Sequence, residues 1–581
     1  MTILDSVRRH ARDKPESVAA LSTEGSISYL ELERKSNALA GLLMEQGLQP
    51  EEAIAVLLPP GPHLLVALLG IWKAGGVYLP LSINLPDERL GHMVEAADAL
   101  TLVTTSSYLH RIPGAGQLVL LEEDLEGPGQ DLPLNFQVTP SFLAYVMFTS
   151  GSTGAPKAVA VEHASISHIA RELSSAWRME ATDRVLQFAA PIWDTSFEEM
   201  LPALHVGASI AFPRPEAKES TARFWQECGL LDVSIVDLPT AFWSELAKQT
   251  SPDTVLPLRL RLVVIGGERA NPTDVRQWLK RFPATELWNS YGCTETTAIA
   301  ALVHLSLEHV EEGEVPIGYE LPGVRIHVVT EDLEEAGCGS EGEIVVGGLG
   351  VARGYLNTDE GSERFRLFSN GERVYMTGDR GRLRPSGMLE CLGRTDSQVK
   401  VRGVRIELAE VEAALTSHPD VRGAVVVTRA DRIGQYLEGF VTGLPGNEVD
   451  IESVRKWAGA RLVPEAAPRR IFVVSEFPLT ATGKLDRAAL RDTHAFSEFT
   501  PDETTSEEER LVLALWQNIL EVTDPSLEVP FKSYGADSLM TARMLFDVHE
   551  RTGVLVVTDT PPQDLTVREI AQLIRDDRIR G

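Results

Sequence analysis

Apolar and polar positions alternate in blocks along the chain. Ser28-Tyr29-Leu30-Glu31-Leu32 leads into a stretch whose Leu32, Leu39, Leu42 and Leu43 recur on one face of a helix. Ala53 to Leu58 is short and continuously apolar, the pattern of a buried strand, and Leu64 to Gly70 returns to a helix. This alternation continues in α/β style to about Arg394 and predicts a largely parallel sheet covered by helices. A smaller unit follows, with a helix over Ala409 to Leu415 and strands over Ala424 to Thr428 and Ile471 to Val474. His494 to Thr505 is polar, acidic and without periodicity, so it reads as a linker. Ser506-Glu507-Glu508-Glu509 then has capping-box spacing and opens a helix carrying Leu511, Val512, Leu515, Trp516, Ile519 and Leu520 on one stripe. Ser538 opens another predicted helix, from Leu539 to Glu550. No internal repeat or low-complexity block is present.

Composition narrows the partners. The 581 residues exceed a single core and suggest roughly four units or subdomains. With 54 basic and 84 acidic residues the net charge is −30, which argues against nucleic acid or an anionic membrane as the main partner. The most apolar stretch, Ala53 to Trp72, is cut by Pro59-Pro60-Gly61-Pro62-His63 and cannot span a bilayer. Cys228, Cys293, Cys338 and Cys391 are widely spaced, without metal-type spacing, and read as reduced thiols. The N-terminus carries charges where a signal peptide needs an apolar core, so the expected location is cytoplasmic.

One stretch carries a distinct chemistry, Tyr145 to Val161 (YVMFTSGSTGAPKAVAV). An apolar strand pattern breaks into Thr149-Ser150-Gly151-Ser152-Thr153-Gly154-Ala155, passes Pro156 and Lys157, and resumes as a β-branched run. Glycines let several backbone N–H groups converge, hydroxyls add donors, and a lysine adds a point charge for phosphate. The Walker spacing G-x-x-x-x-G-K-[ST] is absent. Taken alone, the stretch also fits an exposed hairpin loop rich in serine and threonine.

TSGSTGAPK resembles the phosphate-loop signature of the adenylate-forming superfamily, which comprises amino-acid adenylation domains of nonribosomal peptide synthetases, acyl-CoA synthetases and luciferases. Leu68 to Ser82 resembles a structural motif of adenylation domains, with Lys73 expected at the surface. FKSYGADSLMTARMLF, Phe531 to Phe546, resembles the phosphopantetheine attachment site of carrier proteins. Read from its residues, Ser538 is equally a serine N-cap. The resemblance implies a large adenylate-forming α/β N-terminal domain (residues 1–395) and a small mobile α+β C-terminal subdomain (396–493). A linker (494–505) and an all-α four-helix carrier domain (506–581) complete the chain.

The superfamily joins a carboxylate to the α-phosphate of ATP, which calls for charge neutralisation and positioning rather than a side-chain nucleophile. Against a net negative protein, the polyanion needs a local positive site. By resemblance, Thr149, Ser150, Gly151, Ser152, Thr153, Gly154 and Lys157 form the phosphate loop. NSYGCTETT (Asn289 to Thr297) matches the adenine and metal motif: Asn289 and Tyr291 for adenine, Thr294 for the α-phosphate, Glu295 for Mg²⁺. Cys293 stands where the family usually has proline, a change expected to alter turn stiffness only. YMTGDRGRL (Tyr375 to Leu383) matches the ribose motif, with Asp379 accepting both hydroxyls, and Arg394 assists at the nucleotide. Lys484 in TGKLDR matches the catalytic lysine, Asp396 the hinge, and Ser538 the 4'-phosphopantetheine attachment position.

FAAPIWDTSFEEML (Phe188 to Leu201) matches the substrate-pocket motif, and Asp194 falls where amino-acid-activating members hold the substrate's amino group. Counting from the motifs, the other pocket positions are Thr195, Glu198, Val236, Val264, Gly266, Ser290, Ala298 and Ile299. A buried carboxylate needs a partner, so Glu198 among small and apolar walls points to a cationic substrate side chain such as lysine or β-lysine. Pairing of Glu198 with a protein arginine would be the structural alternative.

These residues predict an ATP- and Mg²⁺-dependent ligase that activates a small-molecule amino acid and loads its own carrier domain. The alternatives are an acyl-CoA synthetase-like ligase and a nonenzymatic carrier or scaffold with an inactive adenylation domain. Asp194 and Ser538 argue against the first, and Lys157, Glu295, Asp379 and Lys484 against the second. Expected partners are a phosphopantetheinyl transferase and a downstream condensing or tailoring enzyme; the sequence does not identify whether a small accessory protein of the MbtH type joins them. No HHxxxDG motif and no G-x-S-x-G elbow occur, so the expectation is an activating and loading didomain that neither forms nor releases peptide.

Overall fold

In the computed structural model, the described residues are 2–112, 117–120, 138–151, 156–218, 220–249, 256–311, 314–358, 361–368, 370–395, 398–401, 403–430, 435–444, 447, 449–478, 485–492, 506–520, 526–534, 536, 538–554, 556 and 560–580. The chain divides into two compact units. The first comprises Met1–Arg214, Cys228–Ser244 and Leu256–Glu407; the second comprises Pro215–Glu227, Glu245–Val255 and Leu408–Gly581. The expected hinge Asp396 lies outside the described residues, and the hairpin Gln398–Val401/Val404–Glu407 belongs to the first unit.

The first unit contains the predicted helix-covered sheets. In one, Thr101–Thr104, Ala53–Leu57, Val77–Leu81 and Leu143–Thr149 run parallel, and Lys157–Glu162 pairs antiparallel with the last of them. In the other, Val18–Ser22, Ser209–Ala211, Arg184–Leu186, Ile235–Pro239, Leu262–Gly266 and Glu286–Tyr291 lie side by side in parallel. The central strands are buried at nearly every position, as parallel strands covered on both faces must be. A five-stranded antiparallel sheet carries Arg373–Leu383 and Leu389–Arg394 as neighbours.

The helix Thr195–Val206 sits in the core between these sheets. Its Phe197 ring lies 4.5 Å from that of Tyr145, and it stops at Gly207, whose φ of 85° is left-handed. Burial of such a helix forces its polar residues to find partners inside, which sets up the site below.

One expectation is overturned here. Lys73 is not at the surface: it is 0% exposed, and its ammonium donates to Glu33 Oε2 (2.7 Å), Ser36 Oγ and Asn37 Oδ1 (both 2.8 Å). Burial lowers its pKa to about 8 despite the Glu33 charge. It pins the helix Pro62–Lys73 to Tyr29–Glu45, a structural ion pair that no local pattern announces.

In the second unit, Val421–Ala430 and Gln435–Gly443 pair antiparallel and Arg470–Val473 adds a parallel strand, flanked by helices Leu408–Thr416 and Ile451–Gly459. The same unit holds the helices Glu507–Leu520, Ser538–Thr552 and Val567–Arg580, joined through 3-10 turns at Phe531–Tyr534 and Pro562–Asp564. The expected capping box is present: Ser506 N donates to Glu509 Oε2 (2.8 Å) and Glu509 N to Ser506 Oγ (3.2 Å). The predicted stripe, Val512, Leu515, Trp516, Ile519 and Leu520, packs with Phe531, Met540, Met544 and Ile570 in a separate small core. No helix among the described residues is long and apolar enough to cross a membrane.

Candidate active site

The phosphate-loop stretch links two antiparallel strands, with Thr149 opposite Lys157. Ser152, Thr153 and Gly154 lie outside the described residues. Gly151 is buried. Ser150 Oγ donates to the carbonyl of Arg405 (3.0 Å) and accepts from Glu407 N (3.2 Å), so the hairpin clasps it. Lys157 Nζ lies 5.7 Å from the centre of the Tyr355 ring. The Tyr355 hydroxyl donates to Glu295 Oε1 (2.8 Å), which joins the phosphate loop to the candidate metal carboxylate.

Glu295 is 2% exposed at its side chain, and Arg405 Nη1 donates to its other oxygen at 3.1 Å. Burial pushes its carboxyl up, but the Arg405 charge and the tyrosine hydroxyls outweigh that and hold it below the usual carboxylate range. Asp379 is paired in the same way. Arg394 Nη1 donates to Oδ1 (2.6 Å) and the Tyr291 hydroxyl to Oδ2 (2.7 Å), which brings three nucleotide candidates together. Asn289 donates to the Pro316 carbonyl (2.8 Å), and its Oδ1 is buried with no hydrogen-bond partner. An orphaned amide oxygen beside Tyr291 suits the exocyclic amine of adenine, so the residues fit a nucleotide. The same residues do not fit Mg²⁺ as they stand. A divalent cation needs carboxylate oxygens at about 2.0–2.1 Å, and Glu295 gives both of its oxygens to Tyr355 and Arg405. Among the described residues no group of three or more His, Cys, Asp or Glu could hold a metal.

The turn after this strand depends on its glycine. A Cβ on Gly292 would fall 1.9 Å from the Ala298 carbonyl oxygen, so nothing larger fits there. Cys293 does more than alter stiffness, because its N–H donates to Thr296 Oγ1 (3.2 Å), a bond that proline cannot make. Desolvation pushes its thiol up to about 12. Thr297 and Ala298 both take left-handed backbone conformations (φ 58° and 65°), placing Ala298 and Ile299, both buried, beside the motif.

The substrate side is built differently. Asp194 precedes the buried helix with Thr195 as its first residue, and the Thr294 side chain hydrogen-bonds to it. Its second oxygen, Oδ2, is buried without a partner. Next to each other in the helix, Glu198 and Glu199 diverge. Glu199 accepts from Phe188 N and Ala189 N (both 2.9 Å) and from Gln187 Nε2 (3.1 Å), a fully satisfied structural carboxylate. Glu198 instead hydrogen-bonds to Asp237 on the strand Ile235–Pro239. Two carboxyl groups in one hydrogen bond must share a proton, and Asp237 Oδ2 is left buried and unpartnered.

Asp237 is the residue that counting from motifs misses by one. It pairs in register with Val264, which pairs with Trp288, so these side chains share the face toward Glu198. Val236 lies on the opposite face. The signal was present in the sequence: an acid inside an otherwise apolar buried-strand run, Ile235 to Leu238. Gly266 and Ser290 are neighbours, a Cβ on Gly266 falling 2.2 Å from Ser290 Oγ. Burial raises the carboxyls of Asp194, Glu198 and Asp237, and mutual repulsion adds to the rise at Glu198. The Tyr145 hydroxyl, pushed up by burial and by Asp194 and Glu198, is a further buried group without a hydrogen-bond partner. Lys484 lies outside the described residues, and Ser538 is the first residue of its helix.

Comparison with known proteins identifies the family and the domains. Residues 7–356 match the family model described as AMP-binding enzyme, residues 410–484 its C-terminal domain, and residues 510–575 the phosphopantetheine attachment site. The chain is 34% identical over 595 residues to phosphinothricin tripeptide synthetase PhsC of Streptomyces viridochromogenes, covering 99% of this chain and 52% of that protein. It is 31% identical over 545 residues to tyrocidine synthase 1 of Brevibacillus parabrevis, covering 92% and 49%. The chain thus spans about half the length of these curated relatives. Its fold matches holo-PA1221, a protein containing adenylation and PCP domains bound to a vinylsulfonamide inhibitor, with a TM-score of 0.83, 24% identity and coverage of 99% and 96%. The chain belongs to the AMP-binding enzyme family, as an adenylate-forming protein whose family uses ATP with Mg²⁺ and which ends in a phosphopantetheine-bearing carrier domain.

Proposed function

We propose that the protein activates a basic amino acid, lysine or β-lysine in type, as its adenylate and loads it onto the phosphopantetheine of its own carrier domain. The observation that carries the substrate is the buried carboxyl set. Asp194 and Asp237 each keep an unpartnered oxygen, and Glu198 and Asp237 share one proton among apolar walls. A buried acid pair of this kind is costly unless a cation enters, and a substrate with two ammonium groups answers both ends of the pocket. Asp194 takes the amino group near the reacting carboxylate, and the Glu198–Asp237 pair takes the side-chain ammonium.

In the first half-reaction a substrate carboxylate oxygen bonds to the α-phosphorus and the bond to the β-phosphate bridge oxygen breaks, releasing pyrophosphate. Asn289 and Tyr291 orient the base, Asp379 the ribose, and Thr294 the α-phosphate beside Asp194. Lys484 stabilises the charge that develops on phosphorus. The phosphopantetheine on Ser538 supplies the thiol, whose sulfur bonds to the adenylate's acyl carbon as the acyl–phosphate bond breaks and AMP leaves. A phosphopantetheinyl transferase and a downstream enzyme of peptide assembly or tailoring are the partners this reading requires.

The test is a pyrophosphate-exchange panel across amino acids. Lysine, β-lysine or ornithine should lead, ahead of leucine and glutamine. Best activity with an uncharged or acidic amino acid would sink the cationic-pocket reading and leave the ligase reading standing.

A further inference from the structure

Among the enclosed tyrosines of the first unit, one hydroxyl stands apart. Tyr29 donates to the Ala208 carbonyl (2.7 Å) and Tyr291 to Asp379 Oδ2 (2.7 Å). Tyr145 is 0% exposed, yet its hydroxyl has no hydrogen-bond partner among the described residues. A buried hydroxyl left unmet is costly and asks for an explanation. Packing fixes where it stands. Tyr145 lies on the strand Leu143–Thr149, which runs on into the phosphate loop, and it is paired with Tyr78 on one side and Val161 on the other. Its ring is 4.5 Å from that of Phe197, and the rings of Tyr78 and Trp72 lie 6.1 and 6.4 Å from the same phenylalanine.

Phe197 is thus clamped against the sheet, and it brings its helix neighbours with it. Asp194 caps that helix three residues earlier, nearly one turn, and Phe197 N donates to its carbonyl (2.9 Å). Burial, and after it the charges of Asp194 and Glu198, push the pKa of the Tyr145 hydroxyl up, so it stays protonated. Two orphaned atoms therefore share one neighbourhood, the Tyr145 hydroxyl and Asp194 Oδ2. No direct bond joins them, although a phenol and a carboxylate in contact make a strong one. A group between them satisfies both if it offers two donors. Water has two, but it leaves the buried carboxylate without a countercharge; an ammonium supplies the donors and the charge together.

We propose that Tyr145 is a further substrate-binding residue, its hydroxyl accepting a hydrogen bond from the α-ammonium that Asp194 pairs with. The strand that begins the phosphate loop at Thr149 then also sets the amino group, four residues upstream, and acids without an α-amino group leave the hydroxyl unmet. The inference rests on Asp194 holding the substrate's amino group and is independent of what Glu198 and Asp237 bind.

The test uses the full-length holo chain and calorimetric binding of lysyl- and ε-aminocaproyl-sulfamoyl-adenosine, which differ only in the α-amino group. Tyr145→Phe keeps the ring and removes only the hydroxyl. It should weaken the lysyl analogue about tenfold and leave the ε-aminocaproyl analogue at parental affinity. The norleucyl and hexanoyl pair should split in the same way, which keeps the test independent of the distal ammonium. Without ligand, Tyr145→Phe should melt no lower than the parent, since no internal bond is lost. Equal weakening within a pair, no weakening of either analogue, or a variant that melts lower or fails to fold would overturn the proposal. Asp194→Ala separates it from the reading beneath it. If Asp194→Ala weakens both analogues of a pair equally, the amino group is not at Asp194 and both fall. If Asp194→Ala splits the pair and Tyr145→Phe does not, the proposal alone falls.

Discussion

The nucleotide side and the substrate side of the site face the same problem, buried carboxylates, and solve it in opposite ways. On the nucleotide side each acid has an internal partner, Asp379 with Arg394 and Tyr291, Glu295 with Arg405 and Tyr355. On the substrate side, among the described residues, Asp194 is held by the Thr294 side chain, and Glu198 and Asp237 are held by each other through a shared proton. The difference teaches what each ligand must bring. An anionic nucleotide meets a region already neutralised and has to displace cations or share them. On the proposed reading, a cationic amino acid meets acids that lack a countercharge.

The largest effects should separate activation from loading. Ser538→Ala should abolish covalent aminoacylation and leave pyrophosphate exchange at the parental rate, whereas Lys484→Ala should cripple exchange itself. A thiol-cleavable aminoacyl label on Ser538→Ala would contradict the carrier assignment. Next comes Asp194→Ala, which should lower kcat/KM by about a hundredfold for every amino acid, since all present the same ammonium.

Glu198→Gln and Asp237→Asn should be selective instead. Breaking an enclosed ion pair typically costs about 3–5 kcal/mol, and even a third of that is about tenfold. Each should therefore lose about tenfold or more with lysine and much less with norleucine, its near-isostere without the ammonium. Equal losses for both substrates would mean that the pair is only structural.

Much of this was legible in sequence because nucleotide chemistry is written in contiguous residues. Tyr145 to Val161, Asn289 to Thr297 and Tyr375 to Leu383 are contiguous motifs, so short-range spacing is enough to single them out as candidates. The substrate pocket is assembled from separate strands, where a shift of one residue moves a side chain to the other face. That is why Val236 was expected and Asp237 is found. Lys73 and Arg405 were illegible for a related reason: their partners, Glu33 and Glu295, lie 40 and 110 residues away, and only the tertiary fold brings them together. Conversely, the capping box at Ser506 and the stripe after it are local, and both stand as read.

The smallest predicted effect is on stability without ligand. Burial raises the folded-state pKa of Glu198 and Asp237 above the ordinary carboxylate range. Their contribution is therefore favourable below the unfolded pKa and is lost as pH rises through the raised folded values. Asp237→Asn should thus melt a few degrees higher than the parent at neutral pH, about 1 kcal/mol, with the gap closing as pH is lowered toward 4. A parent that gains stability relative to this variant as pH rises would reverse the sign of the argument.

The most direct measurement is calorimetric binding of two sulfamoyl-adenosine analogues, lysyl and norleucyl, in buffers of different ionisation enthalpy at neutral pH. A cation entering between Glu198 and Asp237 adds positive charge that favours loss of their shared proton, so affinity for the lysyl analogue should also rise with pH across the raised range, opposite to the stability trend. The account predicts about tenfold tighter binding of the lysyl analogue, with proton release seen for it alone. Equal affinity for the two, with no buffer dependence for either, would contradict it.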